Sequence, residues 1–187
     1  VGFVVPNRFE YGYGLTPEIV REAAAHGPRV IVTVDNGIAS HDGVDAALAR
    51  GIDVVITDHH LPDETEGAPP AFAVLNPNQA GCSYPDKNLA GVGVAFKLVH
   101  ALFRESGREA QVAAFMKVVA IGTVADVAKL TGENRTIVAI GLKDLARAAN
   151  PGLKALIDVA GCGDGKGMTA YDLGFRLGPR INAAGRM

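Results

Sequence analysis

Asp58, His59 and His60 close the apolar run Val54-Val55-Ile56-Thr57, and Asp35 closes an earlier one, Val30-Ile31-Val32-Thr33-Val34. Carboxylates offer hard anionic oxygen and imidazoles offer borderline nitrogen, a mixture that suits Mn²⁺, Mg²⁺ or Zn²⁺. A third acid, Asp126, follows Gly122-Thr123-Val124-Ala125 after the apolar helical run Val118-Val119-Ala120-Ile121. Taken one at a time, each has a plain structural reading. An Asp after a strand caps a helix or an Asx turn, Asn36-Gly37 is an ordinary turn pair, and a single His is usually a packed ring. Taken together, the set favours a metal site. Adjacent residues of an extended chain face opposite sides, so His59 and His60 are expected to divide the work, one ligating and one facing substrate.

Such groups need a scaffold that delivers strand ends to one edge. Short β-branched runs read as strands buried on both faces, and parallel sheets place ligands beyond the strands' carboxyl ends. The first part of the chain alternates strand and helix: a strand at Phe3–Val5, a turn-rich stretch over 6–14, then a helix from the Thr16 cap and Pro17 to about His26, stopped by Gly27-Pro28. A strand at Val30–Val34 follows, then a helix capped by Ser40 and closed by Gly51, and a strand over 53–57. Crossovers between parallel strands are right-handed, so Asp35 and Asp58 are expected on the same rim. Pro, Gly, Asn and Asp dominate 61–89, with a short fourth strand at Phe72–Leu75. Beyond Ala90 apolar residues recur at three and four, which predicts helices over 93–104, 110–121, 134–149, 151–159 and 169–177. The expected architecture is an α/β parallel sheet of βαβ units with flanking helices over 1–89, followed by a helical half over 90–187.

Composition narrows what the scaffold can do. The 187 residues are 48% hydrophobic, enough for one substantial core, and 18 Lys+Arg against 20 Asp+Glu give a formal net charge of -2. Any polyanion site must therefore be local. Cys82 and Cys162 form no CxxC pair, which argues against a zinc ribbon and suits a reducing cytoplasm. Gly91-Val92-Gly93 lacks a third glycine at Phe96, so the dinucleotide fingerprint fails and close helix packing is the better reading. The Gly161–Gly167 run fails as a phosphate-binding loop because Gly167 stands where Ser or Thr is needed, and it reads as a flexible turn. Tyr11, Tyr13 and Tyr84 are sparse stacking platforms, so any nucleic acid is expected to be held through its backbone.

These residues carry a resemblance. Val34-Asp35-Asn36-Gly37, Thr57-Asp58-His59-His60 and Gly122-Thr123-Val124-Ala125-Asp126 resemble motifs II, III and IV of the DHH phosphoesterase superfamily, in order. The run from Val5 to Gly14, Asn76-Pro77-Asn78-Gln79, Leu89-Ala90-Gly91-Val92-Gly93 and the run from Gly178 to Arg186 are similar to the RecJ-type single-strand-specific exonucleases within it. The resemblance implies 5′→3′ hydrolysis of single-stranded DNA with two Mn²⁺ or Mg²⁺ ions, in DNA repair and recombination. It assigns Asp35 as a bridging metal ligand and catalytic residue, His59 and Asp126 as metal ligands, His60 as the catalytic group facing the scissile phosphate, and Asp58 to orienting a neighbouring ligand. It also makes Arg8 and Arg180, and more weakly Asn182 and Arg186, contacts to phosphate. Arginine suits that role because its planar fork matches two phosphate oxygens. Single-strand-binding or helicase partners are expected for the full-length protein.

Motif I, a DxD-type pair, does not precede Asp35, and it is expected upstream of Val1. The stretch is thus read as part of a longer protein, inactive by itself and able to hold at most one well-ordered divalent ion. Two other function classes stand beside the nuclease: a DHH enzyme acting on short oligonucleotides, cyclic dinucleotides or pyrophosphate, and a non-catalytic DHH scaffold. The joint presence of Asp35, His59, His60 and Asp126 weighs against the scaffold.

Overall fold

The computed structural model describes residues 1–162 and 167–184. They form two compact units, Val1–Lys87 and Asn88–Met187.

The first unit is built on three parallel strands in the order β1 (Val30–Val34), β2 (Asp53–Thr57) and β3 (Ala73–Leu75). Val34 pairs with Thr57 and Thr57 with Leu75, so all three strands finish in step. Helices α1 (Arg8–Tyr11), α2 (Pro17–Ala24) and α3 (His41–Leu48) accompany the sheet. Ile19 and Val20 of α2, Val44 and Ala47 of α3, and Val54 and Ile56 of β2 form a core with Leu15 and Ile52. Gly43 lets α3 approach closely, because a Cβ there would lie 1.9 Å from the Leu15 carbonyl oxygen.

Three sequence expectations need correction here. Phe3–Val5 forms no strand; Phe3 and Val5 are exposed, and β-branched propensity makes a strand only where a neighbour completes the ladder. The run Val30–Val34 is not buried on both faces, since alternation leaves Val30, Val32 and Val34 on the exposed side. Ser40 does not cap α3, because its hydroxyl accepts a hydrogen bond from the Leu15 N–H at 2.9 Å. Thr16 does cap α2, accepting from the Ile19 N–H, and Gly51 beyond α3 has the positive φ of +69° expected of a helix-ending glycine.

The second unit is helical: α4 (Gly91–Glu105), α5 (Met116–Ala125), α6 (Gly132–Leu145), α7 (Pro151–Val159) and α8 (Gly178–Ala184). A tight 3₁₀ stretch over Glu109–Phe115 precedes α5, and a wide π-type stretch over Asp172–Leu177 runs into α8. The predicted helix over 110–121 is thus divided, and its second half runs on to Ala125. Gly122 does not end it, since the glycine serves packing: a Cβ would stand 2.9 Å from Val92 Cγ1. Thr123 turns its hydroxyl back to the Val119 carbonyl, which satisfies it inside the helix. Gly141 of α6 meets α5 in the same way, with a Cβ reaching 2.3 Å from Ala120 Cβ. Buried Asn134 donates to the carbonyls of Asn88 and Lys129 and accepts from the Ala90 N–H, which fixes the start of α4 against the start of α6. None of the described helices is long and apolar enough to cross a membrane.

Candidate metal centre

The ladder of the sheet ends where the chemistry begins. The Asp35 N–H donates to the Thr57 carbonyl at 2.9 Å, and the Asp58 N–H donates to that of Leu75 at 3.0 Å. Both acids therefore leave the sheet at one rim. Asp35 adopts a left-handed conformation, φ +62°, and leads into a tight turn. That turn is made by Asn36, whose amide donates to the Val34 carbonyl, by Thr33, whose hydroxyl donates to the Asn36 carbonyl, and by Gly37 at φ +111°. A Cβ on Gly37 would strike Thr33 Oγ1 at 2.8 Å. Asn36-Gly37 is the turn pair its sequence predicts.

Asp58 is 1% exposed and accepts four hydrogen bonds. Its Oδ2 takes the Ile38 N–H at 2.9 Å, and its Oδ1 takes the N–H groups of His59 and His60 and stands 2.7 Å from His60 Nδ1. Burial alone pushes this carboxyl upward. The bonds from Ile38, the His60 ring and the two histidine amides outweigh it and hold the group below the usual carboxylate range.

Asp35, His59 and His60 each offer one ligand atom, and these atoms lie within 4.8 Å of one another. Asp35 Oδ1 is 3.3 Å from His59 Nε2. The expectation that His59 and His60 face opposite sides does not hold: their ring centroids are 4.6 Å apart at 64°. Alternation lapses because β2 ends at Thr57 and the chain bends at His60. The donor set fits a divalent cation that accepts both hard oxygen and imidazole nitrogen. One side is open to solvent, with the side chains of His60 60% and Asp35 46% exposed against 19% for His59.

Two residues to which the sequence reading gave no role touch the same loop. Asn76, 2% exposed, donates through Nδ2 to the His60 carbonyl at 2.8 Å, and Asn78 Nδ2 donates to the His59 carbonyl at 2.7 Å. Their only sequence signal is the Asn76-Pro77-Asn78-Gln79 run directly after β3.

The remaining candidates lie elsewhere in the chain. Asp126 belongs to the second unit, where it caps the carboxyl end of α5 with its N–H bonded to the Gly122 carbonyl. Val127 beside it has φ +59°, a strained conformation for a β-branched residue. Arg8 opens α1. Arg180 and Asn182 are exposed in α8, and Arg180 Nη1 donates to the Arg176 carbonyl at 2.8 Å. Gly178-Pro179 lies where the π-type stretch passes into α8, inside a continuous helical run and not in a loop. Arg186, and most of the Gly161–Gly167 turn, lie outside the described residues.

Comparison with known proteins identifies the family to which this fold belongs. The model of the DHH family, N-terminal domain, matches residues 1–123. The single-stranded-DNA-specific exonuclease RecJ of Dickeya dadantii is 52% identical over the whole chain, and that of Escherichia coli 49%. The chain spans about a third of the length of these relatives, 34% in each. Among solved structures, exonuclease RecJ bound to manganese superposes with a TM-score of 0.82 at 36% identity, covering 98% of this chain and 45% of that one. RecJ of Thermus thermophilus in complex with Mn²⁺ gives 0.74 at 36% identity, covering 91% and 24%. A parallel sheet ending in Asp35 and Asp58-His59-His60, together with a family match over residues 1–123, establishes that the chain belongs to the DHH family.

Proposed function

We propose that the protein carrying this chain is a metal-dependent phosphodiesterase that degrades single-stranded DNA from its 5′ end, in DNA repair and recombination within the cytoplasm. The observation that carries the reading is the convergence of Asp35, His59 and His60 on one rim, with ligand atoms within 4.8 Å. The relatives named above, described as single-stranded-DNA-specific exonucleases, supply the substrate class.

Asp35 and His59 hold the cation, Mn²⁺ or Mg²⁺, and Asp126 is the further ligand that the motif resemblance implies. A divalent cation supplies Lewis-acid stabilisation of the charge that develops on the phosphodiester. Asp58 orients the His60 ring through the 2.7 Å contact to Nδ1, which leaves the other ring nitrogen for the phosphate. His60 stabilises charge on the reacting phosphate or protonates the departing oxygen. Arg8, Arg180, Asn182 and Arg186 hold neighbouring phosphates. Single-strand-binding protein or a helicase supplies the strand.

The test is release of mononucleotides by the full-length protein from 5′-phosphorylated single strands in Mn²⁺, compared with dinucleotides and cyclic dinucleotides as substrates. Activity that survives a chelator, or a preference for the dinucleotides, overturns the reading.

A further inference from the structure

We infer that Asn76 and Asn78 form a carboxamide clamp that positions the two histidines of the metal centre, a role that rests on the metal-dependent reading above. Backbone pairing between β2 and β3 stops with the bond from the Asp58 N–H to the Leu75 carbonyl. The next two carbonyls on the β2 side, those of His59 and His60, have no strand beside them. Side chains continue the ladder where the strand has run out: Asn78 Nδ2 holds the His59 carbonyl at 2.7 Å and Asn76 Nδ2 that of His60 at 2.8 Å.

The clamp is itself braced. Asn76 Oδ1 accepts the Asn78 N–H at 2.8 Å, so the two amides are oriented as a pair. Gln79 Nε2 donates to the Val74 carbonyl at 2.7 Å, and Lys87 Nζ donates to the carbonyls of Pro77 and Cys82, which pins the loop that carries them. Asn76 is nearly fully buried, where an unused amide would be costly. Asp58 meanwhile holds the N–H groups of the same two histidines. His59 and His60 are therefore gripped from both sides, by a carboxylate at their amides and by carboxamides at their carbonyls. Backbone torsion in this loop would swing His59 Nε2 away from Asp35 Oδ1, now 3.3 Å distant. The clamp thereby fixes the span of the cation site, and groups that orient ligands typically change metal affinity by about 10- to 100-fold.

The test uses the full-length protein with Asn78→Ala, and Asn78→Ser as a smaller perturbation that keeps a short donor. Calorimetric titration with Mn²⁺ is expected to show a dissociation constant raised at least about 10-fold in Asn78→Ala and less in Asn78→Ser. The metal-free melting temperature should fall by no more than a few degrees, since one partly buried hydrogen bond is lost. The Mn²⁺ concentration for half-maximal turnover should rise by the same factor as the dissociation constant. Mn²⁺ affinity within twofold of the parent in both variants overturns the clamp, as does an affinity loss that only tracks a lower melting temperature. His59→Ala run alongside separates the two levels. If it abolishes tight Mn²⁺ binding while Asn78→Ala and Asn78→Ser do not change it, the clamp fails and the metal reading stands; if His59→Ala binds Mn²⁺ like the parent, both fall.

Discussion

Asp35 Oδ1 and His59 Nε2 stand 3.3 Å apart although 24 positions separate them, because two parallel strands end in register and each releases its polar residues on the same side. The geometry is local to the strand ends. It needs only the 5-residue ladder between β1 and β2 and the turn that places Asp35 at φ +62°.

That φ separates binding from stability at Asp35. A left-handed non-glycine residue costs about 1–2 kcal/mol, and such strain collects at functional positions. Asp35→Gly should fold more stably than Asp35→Ala by about 1 kcal/mol in denaturant unfolding, while both lose Mn²⁺ affinity by about 100-fold or more. Equal stabilities would show that the turn relaxes once the carboxylate is gone.

Asp58 is held by donors on both oxygens, so the isosteric amide is a poor substitute. Asp58→Asn turns one oxygen into an NH₂ that faces an N–H, leaving either Ile38 or the histidine amides unmatched. The expected cost is about 2–3 kcal/mol of stability, measured by urea unfolding. A loss below about 0.5 kcal/mol would mean that water replaces these bonds.

Two glycines mark where helices touch their neighbours most closely. Alanine gains up to about 1 kcal/mol of helix propensity over glycine, but overpacking costs about 1–3 kcal/mol. Gly43→Ala places a Cβ 1.9 Å from a backbone oxygen that cannot yield easily, and Gly141→Ala places one 2.3 Å from Ala120 Cβ. Both should lower the melting temperature, with Gly43→Ala the more damaging, and a rise in either would show that the helix slides without penalty.

Asp63 gives a test in acid. The Thr65 hydroxyl and the N–H groups of Glu66 and Thr65 donate to its carboxylate and hold its pKa down to about 2, from the ordinary 3.8. A depressed folded value means that this contribution to stability is complete above the ordinary value and fades as pH falls from about 4 to about 2. Carboxyl-carbon NMR should place its midpoint near 2, and Thr65→Val should move it back toward 3.8. A midpoint at 3.8 in the parent protein would rule the turn out as its cause.

Much of this was legible in the chain. The strands at 30–34 and 53–57 declare themselves by β-branched runs ending in acids, and Thr16, Gly51 and Pro151 mark helix ends by chemistry that acts within a few residues. Phe3–Val5 has the same local signal and forms no strand, since a strand is a pairing and its partner is not encoded in its own residues. That Asp35 and His59 meet at one rim was likewise readable, because parallel strands must end at a common edge, whereas the same reasoning set His60 apart from the ion although its ligand atom lies within 4.8 Å of theirs.

What the sequence could not disclose is how these groups are held. Strict alternation predicts opposed histidine rings; only the folded chain shows that the strand stops at Thr57 and lets them meet at 4.6 Å. Asn76 and Asn78 are polar residues in a turn until tertiary structure lays them beside two carbonyls from 16 and 19 positions earlier. Periodicity and turn chemistry are local forces and leave local marks, so sequence determined the elements and the ligand types. Hydrogen bonds across the end of a sheet depend on which segments come to lie side by side, and that only the assembled fold decided.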